Sequence, residues 1–328
     1  MATITEASQR PSLWAVVRRN AGQSGLLLAV IILFVVLAGS APNFLNPNNL
    51  FNVLRAIAFN GIIACGMTFV IISGDIDVSV GSAVAWSSSL LGVLNIKLGV
   101  PLELAVFIVL AQGALLHAAA GWIRVQFAIP AFVVTLALFL SLRGAARQIT
   151  NAYPITPFPE SFSFWGGGYI AEVIPVPVVF LFAVIAIFFF ISTRTVFGRS
   201  VYSVGGNEEA ARLSGIPVSR TRILIFAITG FLAALSGILL SSRIMSGSSN
   251  IAEGLEFQVI AAVIIGGTSL SGGEGSILGT FLGVLFIGLL ANGMTLLGVP
   301  SFMQEVIRGL IILGAVLISV LQKPVKRA

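Results

Sequence analysis

Apolar and polar positions fall in long blocks along this chain and do not alternate residue by residue. Ten apolar segments run at roughly 24–41, 50–72, 79–96, 102–123, 129–150, 174–193, 222–244, 256–268, 277–297 and 302–321. Most approach the ~20 residues that carry an α-helix across the hydrocarbon of a bilayer. Short turns separate them, among them 41–49, Lys97 to Pro101 and Trp122 to Ile129. The pattern predicts an all-α polytopic membrane protein of about ten transmembrane helices. It excludes an outer-membrane barrel, whose short strands alternate apolar and polar faces. Segment 151–172, rich in Pro, Gly and aromatic residues, is expected to cap the bundle, with Tyr153, Trp165 and Tyr169 near headgroup level. The expected division is a single transmembrane domain at 24–321 between polar ends at 1–23 and 322–328. Gly39-Ser40-Ala41 is faintly like a signal-peptidase site, but with so many later spans the first helix is expected to be retained.

Composition agrees. Hydrophobic residues make up 57% of the 328 and charged residues 9%, with a mean hydropathy of +1.05. A soluble domain of this size could not hide so much apolar surface. The 35 glycines suit close helix packing and broken helices. The net charge of +6 would suggest nucleic acid in a soluble protein, but no basic-aromatic cluster accompanies it. It is read instead as a positive-inside bias. Ten crossings put both termini on one side. Arg10, Arg18, Arg19, Arg124, Arg194, Arg199, Arg212, Arg220, Arg222, Lys323, Lys326 and Arg327 fall there, 12 of the 18 Lys and Arg residues. That side, with segment 194–222, is expected to be cytoplasmic. Arg143 and Arg147 run against the rule and are taken as loop or interface anchors. Cys65, the single cysteine, lies in an apolar run and is read as a small packed residue. His117, the single histidine, is read as a packing or helix–helix hydrogen-bonding group, since one histidine makes no metal site. Arg308 lies within the last segment, either beside Glu305 or reaching the cytoplasmic side.

Two interruptions echo each other. Val70-Ile71-Ile72-Ser73-Gly74 is matched by Val263-Ile264-Ile265-Gly266-Gly267, and each is followed by a polar turn and a Gly-Ser start, Gly81-Ser82 and Gly275-Ser276. The echo is read as a parallel repeat of the second-to-fifth and seventh-to-tenth segments. In the first interruption Ser73, Gly74, Asp75, Asp77, Ser79 and Gly81 place carboxylates and hydroxyls between apolar helices. Charge at membrane depth is costly and faces a cavity, a partner or water. The functional reading is a translocation-path or gating element; the alternative is a cytoplasmic turn whose acids cap the next helix. The second interruption contains Gly266, Gly267, Thr268 and Glu274, and is read as path lining or as a structural turn. It lacks the Gly-Lys-Ser/Thr ending of a phosphate loop, and so does the rest of the chain, so no ATP site is expected here.

The third element is 197–223, a charged segment between two apolar helices. Gly206, Asn207, Glu208, Glu209, Ala210, Arg212, Leu213, Ser214 and Gly215 predict a short helix. Asn207 is its N-cap, the two glutamates complement its N-terminal dipole, and Gly215 ends it ahead of Pro217. A membrane protein that keeps such a helix on its basic side is expected to use it as a cytoplasmic coupling helix for an ATPase; the plainer alternative is a solvated loop helix.

Four blocks together carry a resemblance: 66–82 (GMTFVIISGDIDVSVGS), 129–136 (IPAFVVTL), 205–216 (GGNEEAARLSGI) and 266–276 (GGTSLSGGEGS). The chain resembles the permease subunits of bacterial ABC sugar importers of the ribose, xylose and galactose type over nearly its whole length. Where this chain has Asp75 the family often has Gly. The resemblance implies a type II-like importer permease in the bacterial inner membrane, paired with a second copy or a sister permease. It implies two cytoplasmic ABC ATPases docked at Asn207–Ser214, which bind the ATP and Mg, and a periplasmic sugar-binding protein. No cofactor is expected in this chain. The substrate class implied is a monosaccharide or related polyol. An ion-coupled secondary transporter is the rival reading. A membrane-embedded enzyme lacks both an HExxH zinc site and a convincing Ser/His/Asp set.

Overall fold

The computed structural model describes residues 13–321. Arg10, Lys323, Lys326, Arg327 and the expected 322–328 tail lie outside the described residues. The chain folds as α1 (Leu13–Ser40), α2 (Pro47–Ile72), α3 (Val80–Gly92), α4 (Leu102–Gln126) and α5 (Ala131–Thr150), then α6 (Ser163–Gly167) and α7 (Val176–Arg194). There follow α8 (Val196–Gly206), α9 (Glu208–Leu213), α10 (Val218–Ile244), α11 (Leu255–Ile265), α12 (Ile277–Leu296) and α13 (Ser301–Leu321). Each of the ten apolar segments falls on one of these helices. Six of them, α2, α4, α5, α7, α10 and α12, are long and apolar enough to cross a bilayer. The chain is a multi-pass, mostly helical membrane protein.

α2 is the central helix. Pro47 starts it behind Asn46, whose side chain accepts from the Asn48 amide, and it is buried along most of its length from Ile57 to Ile72. α10 crosses α2, α3 and α4 at close range because glycines remove the side chains that would separate the backbones. A Cβ on Gly113 would lie 2.8 Å from the Gly230 carbonyl oxygen, and one on Gly66 would lie 2.9 Å from Thr229 Oγ1. Large apolar side chains that face away from the bundle, such as Phe107, Leu115, Phe182 and Phe190, are exposed, as a lipid-facing surface requires.

The expected cap, 151–172, is more structured than a loop. Phe158 and Phe162 are buried, and α6 sits on the end of α10, where the Gly166 amide donates to Ser242 Oγ at 2.7 Å. A two-residue antiparallel ladder, β1 (Tyr169–Ile170) with β2 (Ile174–Pro175), pairs Tyr169 with Pro175 and Ile170 with Ile174. Tyr153 and Trp165 are exposed, while Tyr169 is half-buried beneath the Arg55 guanidinium, 4.4 Å from its ring centre.

The internal echo is a helix–break–helix unit, α2 with α3 and α11 with α12. The second apolar segment is thus in register with the eighth. That corrects the expected pairing of second-to-fifth with seventh-to-tenth, because the echoed residues end α11 and not α10.

Candidate functional site

Both breaks are built by the same local chemistry. At the end of α2 the Gly74 amide donates to Ile71 O and the Asp75 amide to Val70 O, with Gly74 at φ +83. At the end of α11 the Gly267 amide donates to Ile264 O and the Thr268 amide to Val263 O, with Gly267 at φ +88. This is the Schellman closure, whose left-handed position glycine adopts without steric cost. Sequence similarity between the breaks therefore encodes one stop signal used twice.

The breaks touch. The Gly273 amide donates to Ile72 O at 2.8 Å, and a Cβ on Gly205, at the end of α8, would overlap that same carbonyl. Tyr202 of α8 donates its hydroxyl to Gly275 O at 3.0 Å. The end of α2, the second break and the end of α8 thus form one junction at one end of the bundle.

The carboxylates of the first break have separate roles. Asp77 Oδ1 accepts from the Ser79 amide at 2.8 Å and from Ser79 Oγ at 2.5 Å, an Asx turn that leads into α3. His117 of α4 donates from Nδ1 to Gly113 O at 3.1 Å, and its Nε2 lies 3.2 Å from Ser79 Oγ and 3.5 Å from Asp77 Oδ2. Ser79, His117 and Asp77 do meet, but the acid stands on the Nε2 side and not behind Nδ1. All three are at most 1% exposed. Without an oriented base or access to substrate, the set is a structural clasp between the break and α4. Expected to pack or to bond between helices, His117 ties α4 to the break at Ser79.

Asp75 turns toward the cations. Its Oδ1 accepts from Arg124 Nε and Nη2 at 3.1 and 3.0 Å. Its Oδ2 pairs with Arg222 Nε at 3.2 Å, and Arg222 Nη1 reaches Glu208 Oε1 at 2.7 Å. The break is therefore tied by charge to α9. In α9 the Asn207 side chain accepts from the Ala210 amide at 2.9 Å, and Gly215 at φ +80 closes the helix. Arg212 pairs with Glu209 at 2.7 Å, and Leu213 is 79% exposed. A hydrogen bond from Arg222 holds the Glu208 carboxyl below its ordinary range.

The remaining predicted residues fall as follows. Gly81 is buried where a Cβ would overlap Glu256 Oε2. Gly266 is buried against Gly279 of α12, and Thr268 is buried, while Gly74, Gly267 and Glu274 are exposed. Gly206 and Ser214 are the last residue of α8 and the C-cap of α9.

Two neighbouring cavities, of about 420 and 300 Å³, lie elsewhere. Neither is lined by a residue of the two breaks. Both are walled by Gln258, Ile287 and Arg308, with Asn52, Asn60, Asn292 and Gln304 on the second. Sequence reading passed over these carboxamides, although Asn49, Asn52 and Asn60 recur on one face of α2. Arg308 bonds Gln304 Oε1 at 3.5 Å and forms a wall of both cavities. Of the two readings expected of Arg143, it is the loop anchor. It is buried and donates to the Ser249, Ile251 and Ala252 carbonyls, holding the loop between α10 and α11.

A multi-helix bundle with six apolar spans, two helix breaks and a short charged helix at one end defines a multi-pass membrane component. Residues 49–316 match the family described as branched-chain amino acid transport system / permease component. The chain belongs to this family of permease components, which are not themselves enzymes. It is 50% identical over 310 residues to the probable ABC transporter permease protein YphD of Escherichia coli K12, covering 94% of this chain and 93% of that one. It is 43% identical over 296 residues to the ribose import permease protein RbsC of Bacillus subtilis 168, covering 90% and 91%. It is 34% identical over 350 aligned positions to the xylose transport system permease protein XylH of E. coli K12, covering 88% of each. No solved structure matches.

Proposed function

We propose that this chain is the permease subunit of an ATP-driven, binding-protein-dependent importer of a monosaccharide. The observation that carries the reading is the charged tie from α9 through Arg222 to Asp75, which joins a solvent-facing lever to a helix break. The ribose and xylose permeases among its relatives support the substrate class over the amino acid of the family description. In this reading ten helices cross the inner membrane, both termini and segment 194–222 are cytoplasmic, and 24–321 is one transmembrane domain. A second copy or sister permease completes the membrane unit. Cytoplasmic ATPases, which hold the ATP and Mg, dock on residues 206–215, and a periplasmic binding protein delivers the sugar. Closure of the ATPases moves α9, and the breaks at Ser73–Gly81 and Gly266–Glu274 act as the gating element. Neutral sugars are recognised by hydrogen bonds, which Ser, Thr and Asn side chains supply.

The test is purification from membranes with identification of bound proteins, followed by transport in vesicles. Co-purification of an ATPase and uptake that needs ATP are the expected results. Uptake that survives ATP depletion and collapses with the proton gradient would replace the reading with an ion-coupled carrier.

A further inference from the structure

The carboxamide-lined groove between α2, α11, α12 and α13 has no role in the coupling chemistry, and its polarity needs explanation. Asn60 sits midway along α2, the depth at which polar groups are most costly in a membrane. It donates to Gln258 Oε1 of α11 at 3.4 Å, the long limit of a hydrogen bond. Asn49 and Asn292 exchange bonds of 3.2 and 2.7 Å. Gln304, buried at the start of α13, donates to Val299 O and accepts from Arg308, whose Nε is buried without a hydrogen-bond partner. Asn52 and Ala56 on the same face of α2 are exposed, so the groove opens outward. An outward-opening groove with Asn60 and Gln258 at this depth cannot face hydrocarbon without a large desolvation cost, and Asn49, Asn52, Asn292 and Gln304 continue its polar lining toward the end where α2 and α13 begin and α12 stops. It faces a polar occupant.

We infer that this groove is a binding station for an uncharged polyhydroxylated ring, with Asn60 and Gln258 as its central hydrogen-bonding pair. The inference rests on the importer reading above and names where the substrate sits. A carboxamide offers both a donor and an acceptor, as a sugar hydroxyl does, so paired amides satisfy vicinal hydroxyls, and the Arg308 guanidinium on the wall of both cavities adds further donors. The Asn60–Gln258 bond, at 3.4 Å, is weak enough for a ligand to replace at small cost. The cavity volumes fall in the ~300–1,000 Å³ range of small-molecule sites. The breaks bring no such open surface, because Ser73, Asp75, Asp77, Ser79 and Thr268 are all buried.

The test uses the complete importer, with its own ATPase and binding protein, in membrane vesicles. Uptake of labelled D-ribose, D-xylose, D-galactose and L-leucine is measured for the unaltered complex, then for Asn60→Leu and Gln258→Leu. The expected result is sugar uptake by the unaltered complex that falls at least about tenfold in each variant, with the assembled complex recovered in full. In a Cys65→Ala background, Asn60→Cys is expected to react with a water-soluble methanethiosulfonate while Ile57→Cys, at a buried position, does not. Unchanged sugar uptake in both leucine variants would overturn the groove assignment and leave the importer reading standing. Loss of uptake together with loss of the assembled complex would assign the groove to subunit packing and also overturn it. An unaltered complex that accumulates leucine, or none of these solutes, would remove the monosaccharide reading itself, and that failure appears before any substitution is made.

Discussion

Asp75 and Arg222 form an ion pair of 3.2 Å with both side chains at most 5% exposed. They belong to different parts of the machine. Asp75 lies in the break after α2, and Arg222 near the start of α10, at the end of the charged segment 194–222. Arg222 also holds Glu208 of α9 at 2.7 Å, and Arg124 closes the other side of Asp75 at 3.0 Å. Two acids thus meet two guanidiniums, so no charge is left over, with Asp75 and Arg222 buried and Glu208 half exposed at the rim. A displacement of α9 that carries Glu208 acts on the same guanidinium that holds the break.

Removing one member should cost more than removing both. Asp75→Asn leaves Arg124 and Arg222 facing each other without their shared acid, and loss of one partner of a buried pair costs ~3–5 kcal/mol. Asp75→Asn with Arg222→Gln should recover part of that loss, with an interaction energy of ~0.5–3 kcal/mol in a double-mutant cycle. Thermal unfolding in detergent, with uptake in parallel, reads the cycle. Strictly additive losses would mean that the two side chains act independently and that the tie carries nothing.

The same network has a pH signature at Glu208. The hydrogen bond from Arg222 is the main reason its carboxyl titrates below the ordinary 4.5, and it outweighs the partial burial that pushes the other way. A depressed folded-state value means that the stabilisation is present above the unfolded pKa and is lost as pH falls through the folded one. The Glu208 side chain is 52% exposed, so screening keeps the effect small. Melting curves of the wild type and Glu208→Gln should therefore differ at about pH 7 and draw together only as pH falls below the ordinary glutamate value of 4.5. A gap that stays constant across that range would exclude the Arg222 pairing as its source.

What the sequence revealed follows from the range of the interactions. Asn207 as N-cap and Gly215 as helix stop were legible because caps are made with atoms two to six residues away. The two Schellman breaks were legible as a repeated string for the same reason. Asp75 was read as a polar group of the path or gate, yet its partners Arg124 and Arg222 come from α4 and α10, and no local pattern marks them. Arg222 entered only as one cation among those that set orientation. The groove escaped notice because its amides pair across helices distant in the chain, Asn49 with Asn292 and Asn60 with Gln258. A single Asn in an apolar run looks like a tolerated impurity until the facing helix is in place. α8 was folded into a generic polar segment because its buried face packs on the second break, which the sequence does not place beside it.

Neighbouring glycines at the junction should behave in opposite ways. A Cβ on Gly205 would overlap the Ile72 carbonyl, whereas one on Gly206 meets nothing within 4 Å. Gly205→Ala should separate α8 from the end of α2 and the second break, at an overpacking cost of ~1–3 kcal/mol. Gly206→Ala should be neutral or slightly stabilising, since alanine favours the helix. Folded yield and melting temperature distinguish them. Equal behaviour would show that α8 does not seat against Ile72.

The tip of α9 provides the test of docking that leaves the bundle intact. Leu213 is 79% exposed beside the charged Glu209–Arg212 pair, an apolar group on a polar lever where a protein partner would bury it. Its removal costs the isolated subunit little because it touches little. Leu213→Glu should therefore leave the melting temperature of the purified subunit unchanged while weakening ATPase capture at least about tenfold, the scale of a lost interface anchor. Asn207→Ala is the complementary variant. It deletes the cap bond to Ala210, costs ~0.5–2 kcal/mol locally, and should lower both helix order and capture. If Leu213→Glu binds the ATPase at wild-type strength while Asn207→Ala does not, the partner reads the fold of α9 through its other face. If neither changes capture, α9 is a solvated connection and the lever assignment falls.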